Sequence, residues 1–262
     1  MDNFYPPPIY IDNLYYFQAL EIFMITFGLV EDNERFRKLI KKEISKLNDS
    51  TLVIDVVDGY ELLLKLNVAK KLPDILLLDI ELPKIDGLLL TSYISQVYPS
   101  IKMIGVSSHS NKALVTEVLS EGAISFISKH FTSPESAIYK HTYGNRNSFK
   151  EAIDQTILNN TYINDLLFNK GKELKLSTST NQLINKKFPE LTSIHKQFLL
   201  LNAADLSYQE IALVMNKSLP TIKKYLSFLL DKFEVKNKVE LVTFCIKNGL
   251  VKLPSYYDQF VN

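Results

Sequence analysis

Glu31 and Asp32 follow an apolar run at residues 24–30, Asp79 closes the run 75–78, and Lys129 follows the run 124–127. A carboxylate can act as nucleophile toward phosphorus when cations neutralise the oxygens that gain charge in transit. Clustered carboxylates raise the local cost of negative charge, and a divalent cation relieves it. Mg²⁺ takes hard oxygen ligands and is often held by one or two carboxylates together with a phosphate. Glu31, Asp32 and Asp79 meet that demand, and Lys129 supplies a second cation. Ser107, at the end of the run 101–106, can donate a hydroxyl hydrogen bond to the same phosphoryl oxygens.

These side chains need a scaffold that brings strand ends together. Unbroken apolar runs are strands buried on both faces, and in open parallel α/β sheets the ligand site lies beyond the strand carboxyl ends. Between the runs, Phe36, Leu39, Ile40, Ile44 and Leu47 recur at spacings of three and four, one stripe of an amphipathic helix. A β-branched stretch at 51–57 precedes a helical pattern at 60–69. A helix from Gly87 to about residue 97 and another at 111–121 separate the later strands. Strand and helix alternating five times predict a parallel sheet covered on both faces. The last helix of this unit is placed at 149–158, after a weakly patterned stretch at 130–147 in which residues 133–135 could open a short helix.

The 262 residues suggest two domains, since one domain usually takes about 100–200 residues. No apolar stretch approaches the ~20 residues of a membrane helix, and the start lacks a basic segment followed by an apolar core. A soluble cytoplasmic chain without membrane contact is expected. The single cysteine, Cys245, excludes an internal disulfide and reads as buried filler. His109, His130, His141 and His195 are too scattered for a metal cluster and receive no ligand role.

Charge is unevenly spread. Residues 24–129 carry 13 Lys/Arg against 14 Asp/Glu, whereas residues 186–252 carry 11 Lys against 6 Asp/Glu, a net +5 that suits a polyanion partner. In that basic part Ser207 to Glu210 form an S-x-x-E capping box ahead of Ile211, Ala212, Val214 and Met215. Ser218 is a second N-cap, Pro220 is tolerated in the first turn, and Ile222, Leu226, Leu229 and Leu230 give a buried stripe. The pair predicts a helix-turn-helix with Thr221, Lys223, Lys224 and Ser227 on the outer face, where a major groove can receive them.

The first half resembles the receiver domain of two-component response regulators. The resemblance rests on LVEDN (29–33), LLLDIELPKIDG (76–87), GVSSHS (105–110) and GAISFISK (122–129). It implies a flavodoxin-like doubly wound five-stranded parallel sheet, Asp79 as phosphoacceptor, and Mg²⁺ held by Glu31, Asp32, Asp79 and the backbone carbonyl of Glu81. Ser107 stands where the family has Thr or Ser, Lys129 is the family's lysine, and Phe126 is its aromatic switch residue. The stretch 191–250 is similar to the LuxR-type helix-turn-helix output domain, a small all-α unit. Thr221, Ile222, Lys223 and Leu226 match its recognition helix, while His195, Lys196 and Tyr225 depart from its usual residues. The resemblance further implies that the last helix, about 239–248, offers a dimer contact through Leu241, Val242, Phe244 and Cys245.

The expected organisation is an extension at 1–22, a receiver at 23–160, a linker at 161–187, a helix-turn-helix domain at 188–254 and a tail at 255–262. The expected function is a phosphorylation-regulated transcription factor. A sensor histidine kinase supplies the phosphoryl group and promoter DNA is bound, with a homodimer on DNA. Ser107 and Phe126 are expected to couple the two halves. No enzymatic turnover is expected beyond Mg²⁺-dependent self-phosphorylation and autodephosphorylation. The alternative is a protein-interaction adaptor whose C-terminal helices bind protein. A stand-alone phosphatase of the aspartyl-phosphate type ranks last, because Glu81 stands where its second acid/base Asp belongs.

Overall fold

A computed structural model describes residues 24–109, 111–129, 148–163 and 179–254. The expected extension at 1–22, the short helix near 133–135 and the tail at 255–262 lie outside the described residues. Five strands, β1 (Ile25–Val30), β2 (Ser50–Val56), β3 (Ile75–Asp79), β4 (Lys102–Ser107) and β5 (Ser125–Ser128), form one parallel sheet in the order β2-β1-β3-β4-β5. The alternation of runs predicted the parallel sheet, and the order is the flavodoxin-like doubly wound one that the resemblance to receiver domains implies.

Every residue of β3 is buried because both faces are covered. Ile75 and Leu77 point to one apolar core with Phe27, Leu29, Ile104 and Val106. Leu76 and Leu78 point to the other. Helices α1 (Glu34–Ile44) and α5 (Ser148–Ile157) supply the first core with Ile40, Ile44, Phe149 and Ile153. Helices α2 (Gly59–Val68), α3 (Gly87–Val97) and α4 (Lys112–Ser120) supply the second. Asn33, Asp58, Asp86 and Asn111 each cap the following helix through a side-chain oxygen, as short polar residues do at helix starts.

After α5 the chain returns to the sheet. The N–H of Phe126 donates to the carbonyl of Tyr162 at 2.9 Å, and Ile163 forms a single parallel bridge with Phe126 at the outer edge of β5. Five further helices follow: α6 (Thr180–Lys187), α7 (Ser193–Ala203), α8 (Tyr208–Val214), α9 (Leu219–Phe233) and α10 (Lys238–Lys247). The predicted linker therefore ends in a helix. Ser179 caps α6 with a capping box, and Ile184 is fully buried, so the closing part of 161–187 packs as structure.

The C-terminal helices lie against the α2–α3 side of the sheet, and a single apolar cluster runs from Leu62 and Leu90 to Phe198 and Leu229. Helix α3 is covered on one side by the sheet and on the other by α6 and α7, which buries all of Gly87 to Ile94. It carries no charged residue, as a helix without a solvated face requires. Two hydrogen bonds cross the contact and a third orients one of their donors. Asn67 Nδ2 donates to the Val214 carbonyl at 2.7 Å, Tyr98 Oη donates to Asn67 Oδ1 at 2.7 Å, and Asp205 N–H donates to the Lys84 carbonyl at 2.8 Å. Lys252 pairs with the buried Glu121 at 2.8 Å. Among the described residues no helix is long and apolar enough to cross a membrane.

Candidate functional site

Strand register places the acidic side chains. Val30 pairs with Leu78, Asp79 with Val106, and Ser107 with Ser128, so the next residues, Glu31 and Lys129, emerge at the same carboxyl edge as Asp79. Glu31, Asp32 and Asp79 each offer an oxygen, and these oxygens all lie within 4.8 Å of one another. Glu31 and Asp79 are both 1% exposed, while Asp32 faces solvent. Lys129 Nζ donates to Asp79 Oδ2 at 2.8 Å and to Glu31 Oε1 at 3.0 Å, tying the two buried carboxylates together. It also lies 5.1 Å from the centroid of the Phe36 ring.

One ammonium does not balance two buried carboxylates. Burial, followed by repulsion from Asp79, pushes the Glu31 carboxyl up to about 7 in spite of Lys129. Burial raises Asp79 as well, against the attraction of Lys129. Burial acts to lower Lys129, but the charges of Asp79 and Glu31 outweigh it and hold the ammonium above the usual lysine range. The pocket is therefore short of positive charge, which is the condition a bound divalent cation satisfies.

The second oxygen of Asp79 is held by the chain itself, since Oδ1 accepts from the Glu81 N–H at 3.0 Å. The loop after β3 then folds back, with the Gly87 N–H donating to the Ile80 carbonyl at 3.0 Å. Only glycine fits there, because a Cβ on Gly87 would lie 2.3 Å from the Asp79 carbonyl oxygen and 2.4 Å from Ile80 Cα. Asp86 caps α3 two residues past Lys84, which stands at φ 62°.

Ser107 closes β4 and is fully buried, and Phe126 is fully buried on β5 opposite Gly105. The sequence missed one partner. The Glu81 side chain, not only its main chain, joins the site, accepting from Ser107 Oγ at 2.5 Å and from the Ser108 N–H at 2.9 Å. Burial acts to raise the Glu81 carboxyl, but the hydrogen bonds from Ser107 and His109 prevail and hold it below the usual range. An acidic residue two places after Asp79 was the only available signal.

In the C-terminal half, α8 and α9 form the expected helix-turn-helix. Ser207 makes a complete capping box with Glu210, and Ser218 caps α9 with Pro220 in the first turn. Lys223, Lys224 and Ser227 stand exposed on α9, whereas Thr221 is half-buried and its hydroxyl bonds to Ser218 Oγ at 2.8 Å. His195 stacks on Phe228 at 4.5 Å and meets the edge of Tyr225 at 5.6 Å, so these departures from the family pattern pack against one another. Lys196 is buried and donates to Asn185.

Of the residues expected at a dimer contact of the last helix, Leu241 and Cys245 are corrected, while Val242 and Phe244 are half-buried. Leu241 and Cys245 are buried in the domain's own core, and Phe244 stacks on Phe233 at 4.7 Å. Burial pushes the Cys245 thiol up to about 12, which makes it an inert filler at neutral pH. The outward apolar residues of α10 are Val239, 73% exposed, and Ile246.

Residues 27–138 match the family model of the response regulator receiver domain. The transcriptional regulatory protein DegU of Brevibacillus brevis is 26% identical, in a match that covers 87% of this chain and 96% of that protein. The response regulator protein VraR of Staphylococcus saprophyticus is also 26% identical, over 85% of this chain and 97% of that one. Among solved structures, the RcsB response regulator of Salmonella typhimurium superposes with a TM-score of 0.46 at 18% identity, covering 85% of this chain and 99% of that chain.

Proposed function

We propose that the chain is a response regulator with an N-terminal receiver and a C-terminal helix-turn-helix domain of LuxR type, in which Asp79 accepts phosphoryl from a sensor histidine kinase and α9 binds promoter DNA. The observation that carries the reading is the 2.8 Å contact of Lys129 with an Asp79 carboxylate that shares its strand edge with Glu31 and Asp32. The proposed receiver spans 23–160 and the proposed DNA-binding unit 188–254, joined by 161–187, with 1–22 and 255–262 as appendages.

Mg²⁺ would be held by Glu31, Asp32, Asp79 and the backbone carbonyl of Glu81, and when bound it supplies positive charge to the phosphoryl oxygens. The protein's own groups do the rest. Lys129 and the Glu81 N–H orient the two oxygens of Asp79. One of those oxygens attacks phosphorus as the P–N bond of phosphohistidine breaks, and the imidazole leaves with the bonding pair. The acyl phosphate so formed places the phosphoryl oxygens toward Lys129 and the Ser107 hydroxyl. Hydrolysis of that bond by water returns the resting carboxylate, the only turnover assigned to the chain.

A phosphoryl group adds close to two negative charges, and a response requires contacts that differ between two states. Ser107 and Phe126 lie on neighbouring strands behind Asp79 and form the proposed coupling pair. On DNA, Lys223 and Lys224 neutralise phosphates or reach base edges, and two copies of the chain occupy paired half-sites.

The deciding experiment is labelling with a small phosphodonor such as acetyl phosphate in the presence of Mg²⁺. Wild-type protein should label and Asp79→Asn should not; labelling that persists in Asp79→Asn refutes the assignment.

A further inference from the structure

Glu81 has two separate engagements. Its N–H serves Asp79, while its side chain crosses to the end of β4. There a single oxygen, Oε1, accepts from the Ser107 hydroxyl at 2.5 Å, from the Ser108 N–H at 2.9 Å and from the His109 N–H at 3.2 Å, with His109 Nδ1 at 3.0 Å. The His109 N–H is shared, since it also donates to Ser107 Oγ at 2.9 Å. Successive main-chain N–H groups aimed at one point form a concavity for an anion, and an ionised carboxylate is an acceptor-only group that fits it.

A hydroxyl has one proton to donate. In this arrangement the proton of the fully buried Ser107 points at Glu81. The same proton is the one the proposed phosphorylation chemistry assigns to a phosphoryl oxygen on Asp79, and both claims cannot be met at once. A phosphoryl group on Asp79 would also stand beside the Glu81 carboxylate as a like charge, in a partly buried setting where such repulsion is only weakly screened.

We propose that the Glu81 carboxylate is a resident anion that fills the seat of a phosphoryl oxygen on Ser107 and Ser108 and must leave that seat when Asp79 carries phosphoryl. The proposal rests on the reading of Asp79 as phosphoacceptor. Its consequence is that the loop after β4 is drawn inward before any signal arrives. Ser107 and Phe126 are already buried, and phosphorylation exchanges one anion for another on a cradle that is already formed. Glu81 is thus a positioning residue that sets how readily the site accepts phosphoryl.

The test uses the full chain with beryllofluoride, a phosphoryl mimic, at saturating Mg²⁺, followed by calorimetry. Glu81→Gln keeps size and removes the charge, and it should bind beryllofluoride on the order of tenfold more tightly than wild type. Unchanged or weaker binding overturns the proposal. Should Glu81→Gln fail to fold, the wild-type protein crystallised with beryllofluoride decides. Glu81 Oε1 should have left hydrogen-bond distance of Ser107 Oγ, and a retained contact overturns the proposal. Failure of wild type to bind the probe, or undiminished binding by Asp79→Asn, overturns the phosphoacceptor reading and the proposal with it. Asp79-dependent binding indifferent to Glu81 removes the proposal alone.

Discussion

The N–H of Asp205, just before the helix-turn-helix, donates to the carbonyl of Lys84, a left-handed residue in the loop that leaves Asp79. The loop that serves the acidic pocket is therefore bonded directly to the C-terminal domain. Asn67 adds a second tie across the same interface through the Val214 carbonyl. Asn67→Ala removes that bond and the acceptor of Tyr98 Oη, at a cost of about 0.5–1.5 kcal/mol to docking. Scanning calorimetry should show the joint transition of wild type separating toward two, and a transition identical to wild type would refute the role of this contact.

Lys129 joins two carboxylates that are each 1% exposed. Breaking a buried ion pair from one side typically costs about 3–5 kcal/mol. Lys129→Met should therefore lower the melting temperature of the metal-free chain strongly at pH 8. At pH 5 the loss should be smaller, because protonation of Glu31 relieves the repulsion that Lys129 otherwise offsets. Equal losses at both pH values would contradict the charge balance described for the pocket.

The Glu31 carboxyl is raised from 4.5 to about 7 in the folded chain. A raised carboxyl binds its proton more tightly folded than unfolded. Its contribution to stability is complete below about pH 4.5 and is lost as pH rises through about 7. Mg²⁺ needs the ionised form, so its affinity should rise over the same interval, most steeply below pH 7, with proton release on binding. Titration calorimetry at pH 6 and pH 8 in wild type and Glu31→Gln checks this; the variant should lose most of the pH dependence.

Gly87→Ala places a Cβ 2.3 Å from a backbone oxygen of Asp79. Neither atom can step aside without moving the strand end, so overpacking should cost about 1–3 kcal/mol or more. Urea unfolding should show a lower midpoint at unchanged slope. A midpoint equal to that of wild type would mean that the loop after β3 yields freely.

Lys223 and Lys224 are exposed side by side on α9. If both neutralise phosphates, Lys223→Ala with Lys224→Ala should make the plot of log affinity against log salt shallower by about 1.8, about 0.9 for each phosphate no longer neutralised. Fluorescence anisotropy across a potassium chloride series measures the slope. An unaltered slope would leave both lysines without a phosphate role.

The strand ends were legible because β1, β3 and β4 are largely buried on both faces and read as apolar runs, which puts Glu31, Asp79 and Ser107 at their carboxyl ends. The helix-turn-helix was legible from its caps at Ser207 and Ser218, which are local chemistry. The reach of the Glu81 side chain was not, because it depends on a residue at the end of a different strand. The docking of the C-terminal helices left one overlooked trace, the uncharged α3, whose second covered face is invisible to a single-face helical pattern. The inward turn of Leu241 and Cys245 was misassigned because an apolar face does not say whether it meets its own domain or another copy.

The one-residue bridge between Ile163 and Phe126 also guards the open edge of the sheet. It is reinforced by the Tyr162 carbonyl, which accepts from the Phe126 N–H. With that main-chain hydrogen bond it occupies the rim of β5 at the point where a stray strand from a neighbouring molecule would otherwise attach.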